Sequence, residues 1–308
     1  MDEFGLIDRY FAHGRTDSSV RVGIGDDGAV LSPAPGHELV AATDTLIEDV
    51  HFPSGVDAYD VGWRSVAVNL SDFAAMGARP RWMTMALSLR ELDSNWLDGF
   101  AAGVFDAAAG AGVSLVGGDT TRGRSLVVTL QVLGEVPAGE AILRSGAKPG
   151  DCLYLTGHPG DAAAGLSEFD SDQCSDVLRR RFLRPEARVG YGLELRGFAN
   201  AAIDVSDGLY ADLVKLLDAS RVGARLELDR LPLSSELKSR YTRSQQLRFA
   251  LAGGDDYELL FTGPASGVPQ AEGLPVTAIG EIVAGSGVDC TDGDTRVDFE
   301  HSGYLHFQ

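Results

Sequence analysis

Six aspartates have the types and spacing to do chemistry. Asp27, Asp44, Asp72, Asp119, Asp204 and Asp207 lie in GIGDDGAV (23–30), TDTLIEDVHF (43–52), NLSDFAAMGA (69–78), VGGDTTR (116–122) and DVSDGL (204–209). Most of these stretches set the acid beside glycine or another small residue at the end of an apolar run. Small residues let backbone and ligand approach closely. Aspartate is short, so several of them can hold hard cations at fixed positions. Mg2+ takes oxygen ligands, keeps some waters and is commonly shared with substrate phosphates. A phosphate loop would instead offer backbone N–H groups and a lysine. The pattern predicts several Mg2+ ions standing between these acids and the phosphates of a nucleotide. A single Gly-Gly-Asp is also an ordinary turn, and Ser206 and Asp207 also suit the cap of a helix beginning near Leu209. Recurrence along the chain favours the metal reading.

Other chemistries fit poorly. No G-x-x-x-x-G-K-[ST] occurs, and the only lysines are Lys148, Lys215 and Lys238, so there is no P-loop. GIGDDG spaces its glycines almost like a dinucleotide fingerprint, but puts two acids where a pyrophosphate would lie. There is no G-x-S-x-G elbow and no H-E-x-x-H. DGDTRVDFE (292–300) lacks the EF-hand glycine and ligand pattern. His51 follows the acidic IED, and a structural role stands beside a functional one.

Bulk properties narrow the partners. Cys152, Cys174 and Cys290 are odd in number and widely spaced. They predict buried thiols in a reducing compartment rather than disulfides or a cysteine metal site. A net charge of −19 argues against nucleic acid or an anionic membrane surface. No apolar run approaches the roughly 18 residues of a membrane span. The start MDEFGLIDRYF lacks a signal-peptide pattern. A cytoplasmic protein is expected.

The elements that must position these acids alternate along the chain. Strand-like runs fall at 39–42, 82–89, 114–116, 126–134, 152–155, into Asp204, and at 224–228, 258–262 and 276–282. Helical patterns fall at 61–76, 95–111, 161–166, 186–195 and 210–219. The expected class is α/β (α+β) in two parts. The Gly- and Pro-bearing stretch EVPAGEAILRSGAKPGD (135–151) is the predicted boundary, giving domains 1–137 and 138–308. In the helix at 61–76, Trp63, Val66, Ala67, Leu70, Phe73 and Ala74 follow the 3.6-residue period and predict a buried face. Ser65, Asn69 and Asp72 form a separate polar stripe. By itself that stripe reads as a solvated face, unless other carboxylates meet Asp72.

Taken in order, GIGDDGAV, TDTLIEDVHF, AVNLSDFAAMGA, LVGGDTTRG, LRSGAKPGD, TGHPGDAAAGL, DVSDGLYADL, GGDDYELLFT and GYLHF resemble the thiamine-monophosphate kinase family, over nearly the whole chain. That family belongs to the aminoimidazole ribonucleotide synthetase superfamily. The resemblance implies two α/β domains. The N-terminal one, with a mixed sheet that joins its dimer mate, binds ATP and Mg2+. The C-terminal one completes the active site. It implies a homodimer that transfers the γ-phosphoryl group of ATP to thiamine monophosphate. Metal ligands would be Asp27, Thr43, Asp44, Asp72, Asp119, Asp204 and Asp207. Nucleotide contacts would be Gly118, Asp119, Arg144 and Ser206. Substrate contacts would be His51, Asp255 and Tyr304. The family usually reads GGEDYE where this chain reads GGDDYE, so Asp255 is one methylene shorter than the expected glutamate. Two alternatives stay open at this point: another ATP-dependent member of the superfamily, and a non-catalytic nucleotide- or metal-binding paralogue.

Overall fold

Runs of alternating burial set up the first sheet. In a computed structural model, which describes residues 3–12, 14 and 17–299, the chain divides into two units. One comprises Met1–Phe73 and Ala78–Gly139, the other Ala74–Gly77 and Glu140–Gln308. The first unit contains, in chain order, α1 (Glu3–Tyr10), β1 (Val20–Val22), β2 (Val30–Leu31), β3 (His37–Ile47), α2 (Ala58–Ala75), β4 (Arg79–Leu89), α3 (Ser94–Ala111), β5 (Ser114–Arg122) and β6 (Val127–Pro137). Its main sheet has the order β3–β6–β4–β5. β6 is antiparallel to both β3 and β4, whereas β4 and β5 are parallel. A parallel pair needs a crossover, and α3 supplies it. Val128, Leu130 and Val132 of β6 and Met83, Met85 and Leu87 of β4 are buried; they form one face, and period-2 alternation turns the intervening residues to the other.

The helices of this unit are specified locally. Asp93 caps α3 by accepting the N–H groups of Asn95 and Trp96, and Gly112 closes it in the left-handed conformation. α2 and α3 touch backbone to backbone. A Cβ on Gly103 would lie 2.8 Å from the carbonyl carbon of Tyr59 and 2.9 Å from the amide nitrogen of Trp63. Gly103→Ala is therefore expected to cost about 1–3 kcal/mol of stability, despite alanine's better helix propensity. A urea midpoint equal to that of the wild type would refute this close approach.

Two expectations change here. Asp44 and Asp119 do not end strands; β3 and β5 continue past them to Ile47 and Arg122. The β-branched residues that follow these acids, Thr45 and Ile47 in β3 and Thr120 and Thr121 in β5, suit pleated edge strands, and β3 and β5 are the two edges. The stripe of Ser65, Asn69 and Asp72 is not a solvated face either. Ser65 and Asn69 are buried, Asp72 is half-buried, and Trp63 is only half-buried on the face assigned to the core. The reason is hydrogen bonding. Asn69 turns its amide to the backbone, as described below, so burial leaves it satisfied.

The second unit contains β7 (Cys152–Thr156), α4 (Asp161–Ser167), α5 (Asp176–Leu183), α6 (Val189–Glu194), β8 (Ala201–Asp204), α7 (Leu209–Ser220), β9 (Gly223–Glu227), a 3-10 turn (Leu228–Arg230), α8 (Ser235–Arg240), α9 (Arg243–Ala252), β10 (Leu259–Gly263), β11 (Val276–Val283), β12 (Gly287–Asp292) and β13 (Thr295–Val297). The sheet order is β13–β12–β9–β11–β7–β10–β8. Only the β9–β12 pair is parallel. The continuous apolar run CLYLT reads as a strand buried on both faces. Leu153 and Leu155 indeed join one core with Ile203, Leu260 and Leu213, while Tyr154 joins another with Ala202, Phe261 and Tyr191. Among the described residues no helix is long and apolar enough to cross a membrane.

Candidate functional site

In the first unit, sheet register decides where the acids point. The row Asp44–Leu130–Met85–Gly118 crosses the sheet from edge to edge. Its side chains share the face that carries Leu130 and Met85 into the core. The rows on either side, Thr43–Gln131–Thr84–Gly117 and Thr45–Thr129–Ala86–Asp119, face the other way. Thr43 and Asp44 therefore present their side chains to opposite faces. Asp119 shares the face of Thr43 but lies on the far edge strand, about 14 Å away at roughly 4.8 Å per strand.

Asp44 is fixed from the helix side. Its N–H donates to Asn69 Oδ1 at 3.0 Å, and Asn69 Nδ2 donates to the carbonyl of Ser65 at 3.1 Å. This bond uses an edge-strand N–H and explains the buried asparagine. Burial raises the Asp44 carboxyl above the ordinary aspartate range. His51 lies in the turn after β3, where its Nδ1 accepts the N–H of Ile47 at 3.0 Å. That bond places the proton of the neutral ring on Nε2. Asp72 is half-buried on α2.

Asp27 and Asp119 meet at a cavity of about 1050 Å3 within this unit, lined by the 24–29 loop, Thr84, Met85, the 115–120 segment of β5 and residues of α1. Both acids are exposed. Gly118 has φ of +154°, and a Cβ there would run into the backbone of Met85. Only glycine fits at that point.

In the second unit three loops are bonded together. Asp204 ends β8, is buried and pairs with Leu259 of β10. The amide of Asp255 donates to the carbonyl of Ser206 at 2.9 Å, and that of Tyr257 to the carbonyl of Val205 at 2.8 Å. Asp255 and Tyr257 have φ of +70° and +51°, a conformation that costs non-glycine residues of order 1 kcal/mol or more each. Ser206 and Asp207 do not cap α7: its cap position is Gly208, without a side-chain bond. Instead Asp212, inside the helix, accepts the N–H groups of both Ser206 and Asp207 at 2.9 Å. Arg144 is exposed in the segment before β7, and its carbonyl accepts from Ser220 Oγ. Tyr304 lies outside the described residues.

Asp256 ties the third loop in. Its Oδ2 accepts the N–H of Gly160 at 2.7 Å and Oδ1 that of Ala162 at 3.4 Å. Enclosure of the carboxyl, together with Asp161 and Glu258 nearby, holds it well above the ordinary range. Its stabilising contribution is thus complete below about pH 4 and is lost as pH rises through the raised folded value. Asp256→Asn is expected to gain stability relative to the wild type as pH rises. Urea midpoints from pH 4 to 9 that keep a constant difference would refute this. Asp212, Lys215, Asp256, Glu258 and Arg188 escaped the sequence reading. The one available signal was Lys215, a rare lysine three residues after an aspartate on a helix.

The donors fit Mg2+. They are carboxylates and a threonine hydroxyl, oxygen ligands without thiolate or imidazole clusters, and the Asp44 carboxyl is desolvated without an offsetting bond to a cation. Among the described residues no three His, Cys, Asp or Glu side chains converge as a cage. Such a cage is not required of an ion that keeps waters and shares substrate phosphates.

Comparison with known proteins agrees over almost the full length. Residues 25–136 match the family AIR synthase related protein, N-terminal domain, and residues 148–293 match the corresponding C-terminal domain. The thiamine-monophosphate kinase of Salmonella typhimurium is 44% identical, covering 99% of this chain and 98% of its own. The crystal structure of thiamine-monophosphate kinase from Stenotrophomonas maltophilia K279a superimposes with a TM-score of 0.86 at 43% identity, covering 94% of this chain and 96% of that one. AaThiL complexed with AMPPCP and TMP does so with a TM-score of 0.81 at 34% identity, covering 92% of each chain.

Proposed function

Because the chain belongs to the thiamine-monophosphate kinase family, it phosphorylates thiamine monophosphate with ATP to give thiamine diphosphate, and we infer that the transfer is direct, in line and assisted by Mg2+. The observation that carries the mechanism is the oxygen-only donor set: Asp27 and Asp119 at one cavity beside the side-chain-free Gly118, and Asp44 desolvated on β3. Asp27, Thr43, Asp44, Asp72 and Asp119 in the first unit, and Asp204 and Asp207 in the second, are the proposed ligands. When bound, Mg2+ supplies neutralisation of the phosphates and stabilisation of transition-state charge.

The protein's own residues bind and orient. Gly118, beside Asp119, and Arg144 and Ser206 are the proposed nucleotide contacts. Asn69 holds Asp44 in register. His51, Asp255 and Tyr304 are the proposed substrate contacts. The positive φ at Asp255, fixed by the hydrogen bond from its N–H to the Ser206 carbonyl, aims a side chain one methylene shorter than the family's usual glutamate. The acceptor is a phosphate, anionic near neutral pH, so no strong general base is needed.

The first domain, 1–137, is proposed to bind ATP and metal and to dimerise. Leu39, Ala41, Thr43, Gln131 and Ala86, which share one sheet face, support dimerisation because they are exposed and carry no charge. The second, 138–308, supplies Asp204, Asp207 and Asp255. A cytoplasmic location is proposed as well, because three free cysteines suit a reducing compartment.

The test mixes the protein with ATP, Mg2+ and thiamine monophosphate and follows both products. Equal ADP and thiamine diphosphate, absent without Mg2+, is the expected result. Nucleotide binding with no product would overturn catalysis. A covalent phosphoryl-protein adduct would overturn direct transfer.

A further inference from the structure

The carboxylate that the reading above gives to a metal already carries a cation. Lys215 Nζ lies 2.5 Å from Asp207 Oδ2 and 2.8 Å from Asp212 Oδ1. The two contacts are unequal. The Asp212 side chain is 1% exposed, whereas that of Asp207 is 35% exposed and that of Lys215 40%. Asp212 is further committed, because its second oxygen accepts the N–H groups of Ser206 and Asp207. Lys215 and Asp212 are also neighbours on α7, three residues apart, whereas Asp207 lies in the loop before the helix. A divalent ion arriving from solvent can compete for Asp207 but not for the enclosed Asp212.

We propose that Lys215 is a resident counter-cation for Asp207, holding its carboxylate in place in the metal-free protein and releasing it, while staying on Asp212, when Mg2+ binds. The inference rests on Asp207 being a metal ligand. Lysine suits the role. Its ammonium is a compact point charge with three donors on a flexible stem, so it bridges two acids and lets go of one. An arginine fork would favour a fixed bidentate pairing.

Two consequences follow. The ammonium opposes the metal by direct repulsion and by competition for the ligand, so it sets the metal affinity of the Asp207 site. It also relieves repulsion between Asp207 and Asp212, so it stabilises the metal-free loop.

The probe is Mn2+, titrated into full-length protein with AMPPCP while the free ion is read by electron paramagnetic resonance. Wild type is compared with Asp207→Asn, Lys215→Met and Lys215→Gln, and thermal unfolding is followed in chelator. Asp207→Asn is expected to remove or weaken one class of Mn2+ site. Both Lys215 variants are expected to tighten that same class, on the order of tenfold, and to lower the melting temperature of the metal-free protein. If Asp207→Asn leaves the isotherm unchanged, Asp207 is not a ligand and the underlying reading fails. If Asp207→Asn acts but neither Lys215 variant tightens the site, the counter-cation role alone is overturned. Weaker AMPPCP binding in the Lys215 variants, with Mn2+ affinity unchanged, would do the same by placing Lys215 on the nucleotide.

Discussion

Asp119→Asn is expected to lower kcat/KM for thiamine monophosphate by about 10²–10³-fold while the protein stays folded. The magnitude is that of removing one fixed electrostatic partner from a transition state with developing phosphoryl charge. Asparagine keeps the size and one oxygen but loses the negative charge that a Mg2+ ligand supplies. The fold should tolerate it, because Asp119 is exposed on the edge strand β5 and faces the cavity it shares with Asp27. Raising Mg2+ should recover part of the loss, since a weakened site fills again by mass action. The measurement is steady-state kinetics over a Mg2+ series, with circular dichroism as a control on folding. Wild-type turnover at limiting Mg2+ would remove Asp119 from the ligand set. Asp207→Asn differs from it, because Asp207 also contacts Lys215 and its loss should disturb metal-free stability as well.

The candidate acids stand out in the sequence because the proposed chemistry is local. A carboxylate beside glycine at the edge of an apolar run is visible in a few residues. What escaped depends on pairing. Which of Thr43 and Asp44 faces the core is settled by the register of β3 against β6, and a one-residue slip would exchange them. The polar stripe of α2 looked solvated because periodicity measures only apolarity. Asn69 is buried because β3 offers it an unpaired N–H at Asp44, a partner 25 residues away that no helical pattern reveals. The motif GGDDYE marked Asp255, but not the work of Asp256 and Glu258, whose partners Gly160, Ala162, Thr156 and Arg188 lie about 70 to 100 residues upstream. The short β12 and β13 carried too little apolar alternation to stand out, and they form only by pairing along the edge of the larger sheet.

The loop that holds Asp255 depends most on a buried ion pair, and Arg188→Met is expected to destabilise the protein by about 3–5 kcal/mol. Glu258 is 2% exposed. Its carboxylate accepts Arg188 Nε at 2.8 Å and Nη2 at 2.5 Å, and also Thr156 Oγ1 at 2.7 Å. Thr156 Oγ1 in turn accepts the N–H of Leu259 at 2.8 Å. Methionine replaces the arginine's packing volume but strands the carboxylate, which must then protonate or draw in water. Glu258→Gln in the Arg188→Met background should recover much of the loss, because it removes the unpaired charge while Thr156 keeps a hydrogen-bond acceptor. A double-mutant cycle in urea isolates that coupling. The kinetic effect should be selective. The backbone of Glu258 accepts the N–H of Val205, and the strained Asp255 and Tyr257 precede it, so Arg188→Met should raise KM for thiamine monophosphate more than it lowers kcat. A loss below about 1 kcal/mol, or a double mutant no more stable than the single one, would show that the network is not what holds the loop.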